Sequence, residues 1–145
     1  MLSRADELAA RLQRFAIETV KFGRSLPRDP GMDRLAGQLV GAGTGASANY
    51  RAARRARSRA EFIAKLSVAA EEADEAEHWL LVIRESNVAL SVPRRIELER
   101  LWSESSELRA ILVQSVKTAR ANSNRIRPTD NRDTTAGDQS IAKNK

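Results

Sequence analysis

The sequence predicts an all-α protein, an antiparallel up-down-up-down four-helix bundle, and three observations support this fold class. Apolar residues recur at alternating spacings of three and four in four segments, which is the period of an amphipathic helix. The breaks between the segments are short, so successive helices must run antiparallel. Aromatic residues make up only 4% of the 145 residues, which suits helix packing better than a β-sheet.

The first predicted helix runs from about residue 3 to residue 24. The segment 26–31 ends it, because two prolines and a glycine cannot continue a helix. The apolar face of this helix consists of Leu8, Leu12, Phe15, Thr19 and Phe22.

The second predicted helix runs from about Met32 to Ala56 and contains an unusual run of glycines. Each glycine in a helix interior costs about 1 kcal/mol relative to alanine. We expect a closely approaching helix backbone to offset that cost, with a helix break between Gly41 and Gly45 as the alternative. The glycines of the run are Gly37, Gly41, Gly43 and Gly45.

The third and fourth predicted helices carry clear start signals. Ser58-Arg59-Ala60-Glu61 fits a capping box, in which the hydroxyl and the carboxylate each accept from a free backbone N–H. Pro93 suits the first turn of the fourth helix, where its missing N–H costs nothing. The third helix is expected to end near Asn87 and the fourth near Ala121. Their apolar seams are Phe62, Leu66, Ala69, Ala73, Ala76, Leu80 and Ile83, then Leu98, Leu101, Leu108, Leu112 and Ala119.

Residues 1–121 are therefore predicted to form one bundle domain, and residues 122–145 a disordered basic and polar tail. Only Ile126 and Ile141 are strongly apolar in that tail, too few to offset the entropy of ordering it. The longest uncharged stretch, residues 35–50, is too short and too rich in glycine to span a bilayer. Early charges also exclude a secretory segment. We expect a soluble cytoplasmic protein with no membrane partner.

The charge is basic overall, with a formal net charge of +6, and is concentrated between residues 51 and 65, where it reaches +5. Such a balance favours polyanionic partners, and the planar fork of arginine suits phosphate oxygens. The candidate nucleic-acid-binding residues are Arg51, Arg54, Arg55, Arg57 and Arg59, with Arg125, Arg127 and Arg132 as assisting groups.

Two alternatives compete with nucleic-acid binding for these arginines. They can form a solvated turn that favours the C-terminal end of the second helix dipole. They can also pair with the acidic segment 71–77, which carries a charge of −5, within one chain or between neighbouring subunits. The sequence leaves these alternatives open.

Several segments resemble the 23S rRNA intervening-sequence proteins, a bacterial family. They are GTGASANYR at 43–51, SRAEFIAKL at 58–66, the acidic residues 71–75 before His78-Trp79-Leu80, and SVKTAR at 115–120. The resemblance covers about residues 5–121. It implies a left-handed four-helix bundle, commonly assembled as a ring-shaped homopentamer, with no established enzymatic activity. Where members carry an acidic residue after Asn-Tyr, this chain has Arg51-Ala52-Ala53.

Small and aromatic residues are the candidate contacts of such an oligomer: Gly41, Gly45, Tyr50 and Trp79. Glycines allow close approach, and large aromatic side chains are frequent interface anchors. Trp79 can instead belong to the core, and Tyr50 can instead stack on a base.

Catalytic and metal sites are not indicated. The chain has no cysteine, which excludes disulfides and thiolate chemistry. Glu75 and His78 have the Glu-x-x-His spacing of di-iron bundles, but such a site needs two copies and the chain has one histidine. The glycine run lacks the Gly-Lys-Ser/Thr ending of a phosphate loop. We expect no enzyme, no metal and no cofactor.

The sequence thus predicts a non-catalytic oligomeric bundle that binds nucleic acid, with RNA as the leading ligand, or serves as a scaffold. The alternative is a purely protein-binding or structural homo-oligomer whose arginines serve subunit interfaces.

Overall fold

The structure is a computed structural model that describes residues 1–126, and this part of the chain is all-α, as predicted. Each helix packs closely against two others, in the cyclic order α1, α2, α3, α4 and back to α1, and the diagonal pairs have no Cα atoms within 8 Å of each other. The helices are α1 (Arg4–Ser25), α2 (Pro30–Arg54), α3 (Arg59–Glu85) and α4 (Val92–Ile126).

Side-chain pairs between neighbouring helices show that the helices run antiparallel. Asp6 near the start of α1 meets Arg54 at the end of α2. Glu99 near the start of α4 meets Arg84 at the end of α3, and Ser67 near the start of α3 meets Arg120 late in α4. The left-handed twist implied by the resemblance stays a prediction.

Local sequence explains where the helices begin and end. At α1 the Ser3 hydroxyl accepts from the Asp6 N–H and the Asp6 carboxylate accepts from the Ser3 N–H, a complete capping box. The box predicted at α3 is only half formed. The Glu61 N–H donates to Ser58 at 3.1 Å, but the Glu61 carboxylate accepts from the Arg57 N–H. Asn87, with φ of 54°, follows the end of α3 in the left-handed conformation.

The predicted apolar seams form the core of the bundle. Thr19 and Ser105 are the buried polar residues, and each hydroxyl donates to a carbonyl of its own helix at 2.7 Å, so neither carries an unsatisfied donor. The largest fully buried apolar side chains are Phe15, Phe22, Leu12, Leu39, Leu66, Leu80, Ile83, Leu101, Leu108 and Leu112.

The glycine run of α2 is helical throughout, so the break considered between Gly41 and Gly45 does not occur. At the two glycines with close neighbours, the nearest atoms belong to side chains of the adjacent helices. A Cβ on Gly43 would lie 2.6 Å from the Thr19 hydroxyl of α1, and one on Gly45 would lie 2.9 Å from the Glu72 carboxyl carbon of α3. A Cβ on Gly37 or Gly41 would meet nothing within 4 Å among residues 1–126, apart from its own helix.

Helix α4 continues to Ile126, five residues beyond the predicted end at Ala121. No glycine or proline occurs between Pro93 and Ile126, and helix propagation needs only one further hydrogen bond per residue. The remainder of the predicted tail lies outside the described residues, as do Arg127 and Arg132.

Candidate nucleic-acid interface

One end of the bundle collects basic residues from all four helices. The antiparallel order brings the start of α1, the end of α2, the start of α3 and the end of α4 to this end. We define the basic end as residues 1–7, 48–65 and 114–126. Arg4 and Gln114 line one groove with Tyr50, and Arg59 lines another groove with Thr118 and Asn122, which shows that α4 belongs to the same end.

The basic end has ten basic and three acidic side chains, a formal charge of +7, whereas the rest of residues 1–126 has eleven basic and thirteen acidic side chains. Charge is therefore strongly polarised along the bundle. The ten basic residues are Arg4, Arg51, Arg54, Arg55, Arg57, Arg59, Lys65, Lys117, Arg120 and Arg125.

Three of the predicted arginines lie around one groove. Arg51, Arg55 and Arg57 line it together with Glu61, and Arg51 and Arg55 also line a second groove of about 730 Å³ between α1 and α2. Arg51 and Arg55 are one helical turn apart and so share a face of α2. All three arginines are exposed, and within residues 1–126 none of them forms an ion pair.

Arg54 differs from these three because its own chain holds it. Its guanidinium donates to the Asp6 carboxylate at 2.6 Å, which ties the end of α2 to the capping box of α1. Hydrogen bonds from the Ser3 side chain and then from Arg54 lower the pKa of Asp6 to about 2. Arg54 is thus a positioned guanidinium rather than a free one.

Arg59 lies on another side of the end. It lines a shallow groove with Arg54, Ser58 and Phe62, away from the groove of Arg57. Arg54 lines this groove and also the groove of Arg51 and Arg55, so the five predicted arginines share one end of the molecule and line several grooves there.

The acidic segment 71–77 does not pair with the arginine cluster within the described residues. Glu77 accepts a hydrogen bond from Arg109 of α4, and Asp74 forms an ion pair with the same guanidinium at 3.8 Å. Glu75 accepts from the Trp79 indole at 3.2 Å. The side chain of Glu72 packs on Gly45, and burial, then Glu75 and Glu71, raise its pKa. Pairing between subunits stays a prediction.

The candidate oligomer contacts occupy different environments. Tyr50 is only 7% exposed, its hydroxyl lies 3.5 Å from the Ala5 carbonyl oxygen, and burial raises its pKa. Trp79 is half-buried, with its ring 5.0 Å from that of the exposed His78. Gly41 is exposed and Gly45 is covered by Glu72.

Sequence reasoning missed Arg4, Lys117 and Arg120 as members of the basic end. Each is isolated in the sequence, so no charge run marks it. The antiparallel order of the helices was the available signal, since it places the first turn of α1 and the last turns of α4 beside the arginine-rich turn.

Residues 1–126 contain no group of three or more His, Cys, Asp or Glu side chains that could hold a metal ion. None of the four described helices is both long and apolar enough to cross a lipid bilayer.

The described residues define an antiparallel four-helix bundle with one strongly basic end. The family model for the 23S rRNA-intervening sequence protein matches residues 7–114, so the chain belongs to this family. A crystal structure from Bacteroides thetaiotaomicron, of a protein with unknown function from the S23 ribosomal protein family, is similar to it. The two are 30% identical with a TM-score of 0.67, over 79% of this chain and 99% of that chain. The comparison with curated proteins gave no match.

Proposed function

We propose that this protein is a non-catalytic, cytoplasmic binding module whose ligand is nucleic acid, with RNA as the leading candidate. One observation carries the proposal: nine of the ten basic side chains at the basic end form no ion pair within residues 1–126. Elsewhere in the bundle acidic side chains outnumber basic ones. Guanidinium groups without carboxylate partners can bind phosphates at little cost, because no internal ion pair must break first.

Salt dependence is the physical signature of such binding. A protein that neutralises about six phosphates releases their counterions and loses roughly 10³-fold in affinity between 50 and 200 mM salt. We expect fluorescence anisotropy with a labelled RNA to show this slope.

The decisive test uses two double variants that remove the same charge from different places. R51Q/R55Q removes two arginines of the basic end that form no ion pair there. R84Q/R100Q removes two arginines that already bind Glu99 at 2.5 Å and Glu18 at 2.7 Å. We expect roughly tenfold weaker RNA binding for the first variant and little change for the second. Equal losses would mean that net charge alone governs binding. Circular dichroism establishes that both variants fold.

A second candidate function is self-association as a structural or protein-binding homo-oligomer, the homopentamer that the resemblance implies. The observation that favours it is the open space at Gly37 and Gly41. Their cost of about 1 kcal/mol each is not offset by a contact with residues 1–126, and close approach of another subunit to this face of α2 would offset it.

Light scattering on the same variants separates the two functions. The chain has a mass of 16.0 kDa, so a pentamer scatters as five times that mass. If R51Q/R55Q loses RNA binding and keeps the mass of the wild type, the arginines bind nucleic acid. If it dissociates, they serve a subunit interface. If the wild-type protein binds no RNA at any salt concentration, nucleic-acid binding is refuted.

A further inference from the structure

The proposed function leaves open which form of nucleic acid the basic end would bind. Single-stranded ligands are usually held by aromatic side chains that stack on bases, with basic residues along the backbone. Double-stranded ligands are held mainly through their phosphates and sugars. The positions of the aromatic and basic side chains at this end therefore discriminate between the two.

The aromatic side chains of the basic end face inward. Tyr50, which follows Asn49 and precedes the first arginine, is 7% exposed and its hydroxyl points at the Ala5 carbonyl. Phe62 is half-buried and packs against the hydrophobic core. Stacking a base on Tyr50 would require the groove that it lines with Arg4 and Gln114 to open, because only 7% of Tyr50 is exposed.

The basic side chains, in contrast, extend around the end on more than one side. Arg51, Arg55 and Arg57 lie around the groove beside Glu61, whereas Arg59 lies across the end with Phe62 and α4. Helix axes pack 8–10 Å apart and each helix is 10–12 Å wide, so the end of the bundle is about 20 Å across. A duplex carries phosphates along two edges and can contact both sides at once, whereas a single strand would have to bend around the end.

The groove between α1 and α2 offers further groups suited to a sugar–phosphate backbone. Its lining combines Arg51 and Arg55 with the short polar side chains of Gln13, Thr44 and Ser47. Such side chains are typical partners of phosphate and sugar oxygens and carry no base specificity by themselves.

From these observations we propose that the basic end binds a double-stranded nucleic acid through its phosphates, without reading base sequence. This inference rests on the proposed function and names its ligand. A duplex carries about one charge per 1.7 Å of axis, twice the density of one strand, which matches cations spread over a broad end. The α4 residues Lys117 and Arg120, both exposed, belong to the same binding surface.

The test compares a 20-base-pair RNA duplex with an unstructured single strand of the same length, at one salt concentration and by anisotropy. We expect the duplex to bind at least tenfold more tightly, and a duplex of scrambled sequence to bind within twofold of the first. A DNA duplex of the same sequence tests whether the protein binds the phosphates of DNA as well as those of RNA. Equal affinity assigns recognition to phosphates alone, and a preference for RNA adds contacts to the 2′-hydroxyl.

Two variants localise the surface. K117E/R120E is expected to weaken duplex binding roughly tenfold. F62L keeps an apolar side chain of similar size and is expected to change binding of either ligand less than twofold, because Phe62 does not stack on bases.

A single strand that binds as tightly as the duplex, or a large loss in F62L, would overturn the inference and leave nucleic-acid binding intact. Binding of neither ligand at 50 mM salt would overturn the proposed function itself. The protein alternative then remains, and the oligomer mass measured on the same sample tests it.

Discussion

The basic end and the rest of the bundle use the same residue type in opposite ways. In the rest of the bundle, Arg100 binds Glu18 and Glu97, and Arg11 binds Glu104 and Glu107, so guanidinium groups fasten one helix to another. At the basic end, only Arg54 has an acidic partner within the described residues. A paired arginine contributes to the structure of the bundle. An arginine without an acidic partner in residues 1–126 can bind a ligand without first breaking an ion pair there. The presence or absence of a carboxylate partner, rather than the residue type, therefore distinguishes the two groups of arginines.

The glycines of α2 also divide into two groups, those with a close neighbour on another helix and those without one. Gly43 is required inside the chain, because the short side chain of Thr19 occupies the space where a side chain would lie. At Gly45 the nearest atoms belong to the flexible end of Glu72. Gly37 and Gly41 lie on the same helix with nothing within 4 Å. Gly37, Gly41 and Gly45 are four residues apart, yet this regular spacing joins positions with different surroundings. Gly43 and Gly45 face a side chain of another helix, and Gly37 and Gly41 face none within the described residues.

The largest effect on stability is expected for Gly43→Ala. The new methyl group would lie 2.6 Å from the hydroxyl and 2.9 Å from the methyl carbon of Thr19, which is fully buried and already donates to the Ala16 carbonyl. Since rotating Thr19 only exchanges one close atom for the other, we expect a loss of about 2 kcal/mol in the free energy of unfolding. Urea denaturation monitored by circular dichroism measures this loss.

Gly41→Ala is the matched control, because its methyl group meets open space. We expect a gain of about 1 kcal/mol from helix propensity. A similar loss in both variants would show that the two pairs of glycines do not differ. If Gly41→Ala stabilises the fold but lowers the mass by light scattering, the open face of α2 is a subunit contact.

A smaller effect is expected when a paired arginine is removed. Arg100 reaches two carboxylates on different helices at 2.7 Å, and the pairs are partly shielded from water. Arg100→Ala should cost about 1 kcal/mol in the free energy of unfolding, near the upper limit for such pairs. Arg55→Ala should change it by less than about 0.3 kcal/mol, since Arg55 holds no partner in the described chain. Equal costs would remove the distinction between the two regions.

Asp6→Asn tests Arg54, the one arginine of the basic end that has an acidic partner within the described residues. The change releases Arg54 and removes one of three acidic charges, so we expect duplex or single-strand RNA to bind about threefold more tightly. Glu7→Gln removes a neighbouring charge without touching Arg54 and serves as the control. If both variants gain equally, release of Arg54 contributes nothing.

The pH dependence of the same carboxylate has a defined sign. The Ser3 hydroxyl and Arg54 lower the pKa of Asp6 from 3.8 to about 2 in the folded chain. A lowered pKa means that the ionised group stabilises the fold above pH 4, and this contribution is lost as the pH falls from 4 towards 2. The difference in stability between wild type and Asp6→Asn should therefore disappear across that range.

The sequence was sufficient for the fold because the helical signals are local and repeated. Every predicted seam residue of α1 is buried, and three of the four helix starts carry recognisable caps. Partners were harder to predict. Nothing in the spacing of Glu61 shows that its carboxylate would bond Arg57 rather than Ser58. The grouping of Arg4 and Arg120 with the arginine-rich turn, and the pairing of Asp74 with Arg109, depend on which helices meet in three dimensions.

The smallest expected effect on stability concerns Glu72. Its neighbours Asp74 and Glu77 on α3 pair with Arg109, but Glu72 does not. Its side chain lies against Gly45, forms no ion pair within residues 1–126, and has a pKa raised by burial and by Glu75 and Glu71. A raised pKa means that ionisation opposes folding, so stability should increase as the pH falls from neutral through that pKa. Glu72→Gln should therefore be more stable than wild type at pH 7, by about 0.3 kcal/mol for each like-charge contact removed.

The exposed neighbour Glu71 supplies the control for this last prediction. Glu71→Gln removes the same charge from the same turn of α3 but no group that packs on Gly45. The gain in Glu72→Gln should exceed that in Glu71→Gln at pH 7, and this excess should vanish as the pH falls through the raised pKa of Glu72. Equal gains at pH 7 would attribute the effect to repulsion alone. A loss in Glu72→Gln would instead mean that the carboxylate has a partner outside the chain, as expected if an arginine of a second subunit binds there.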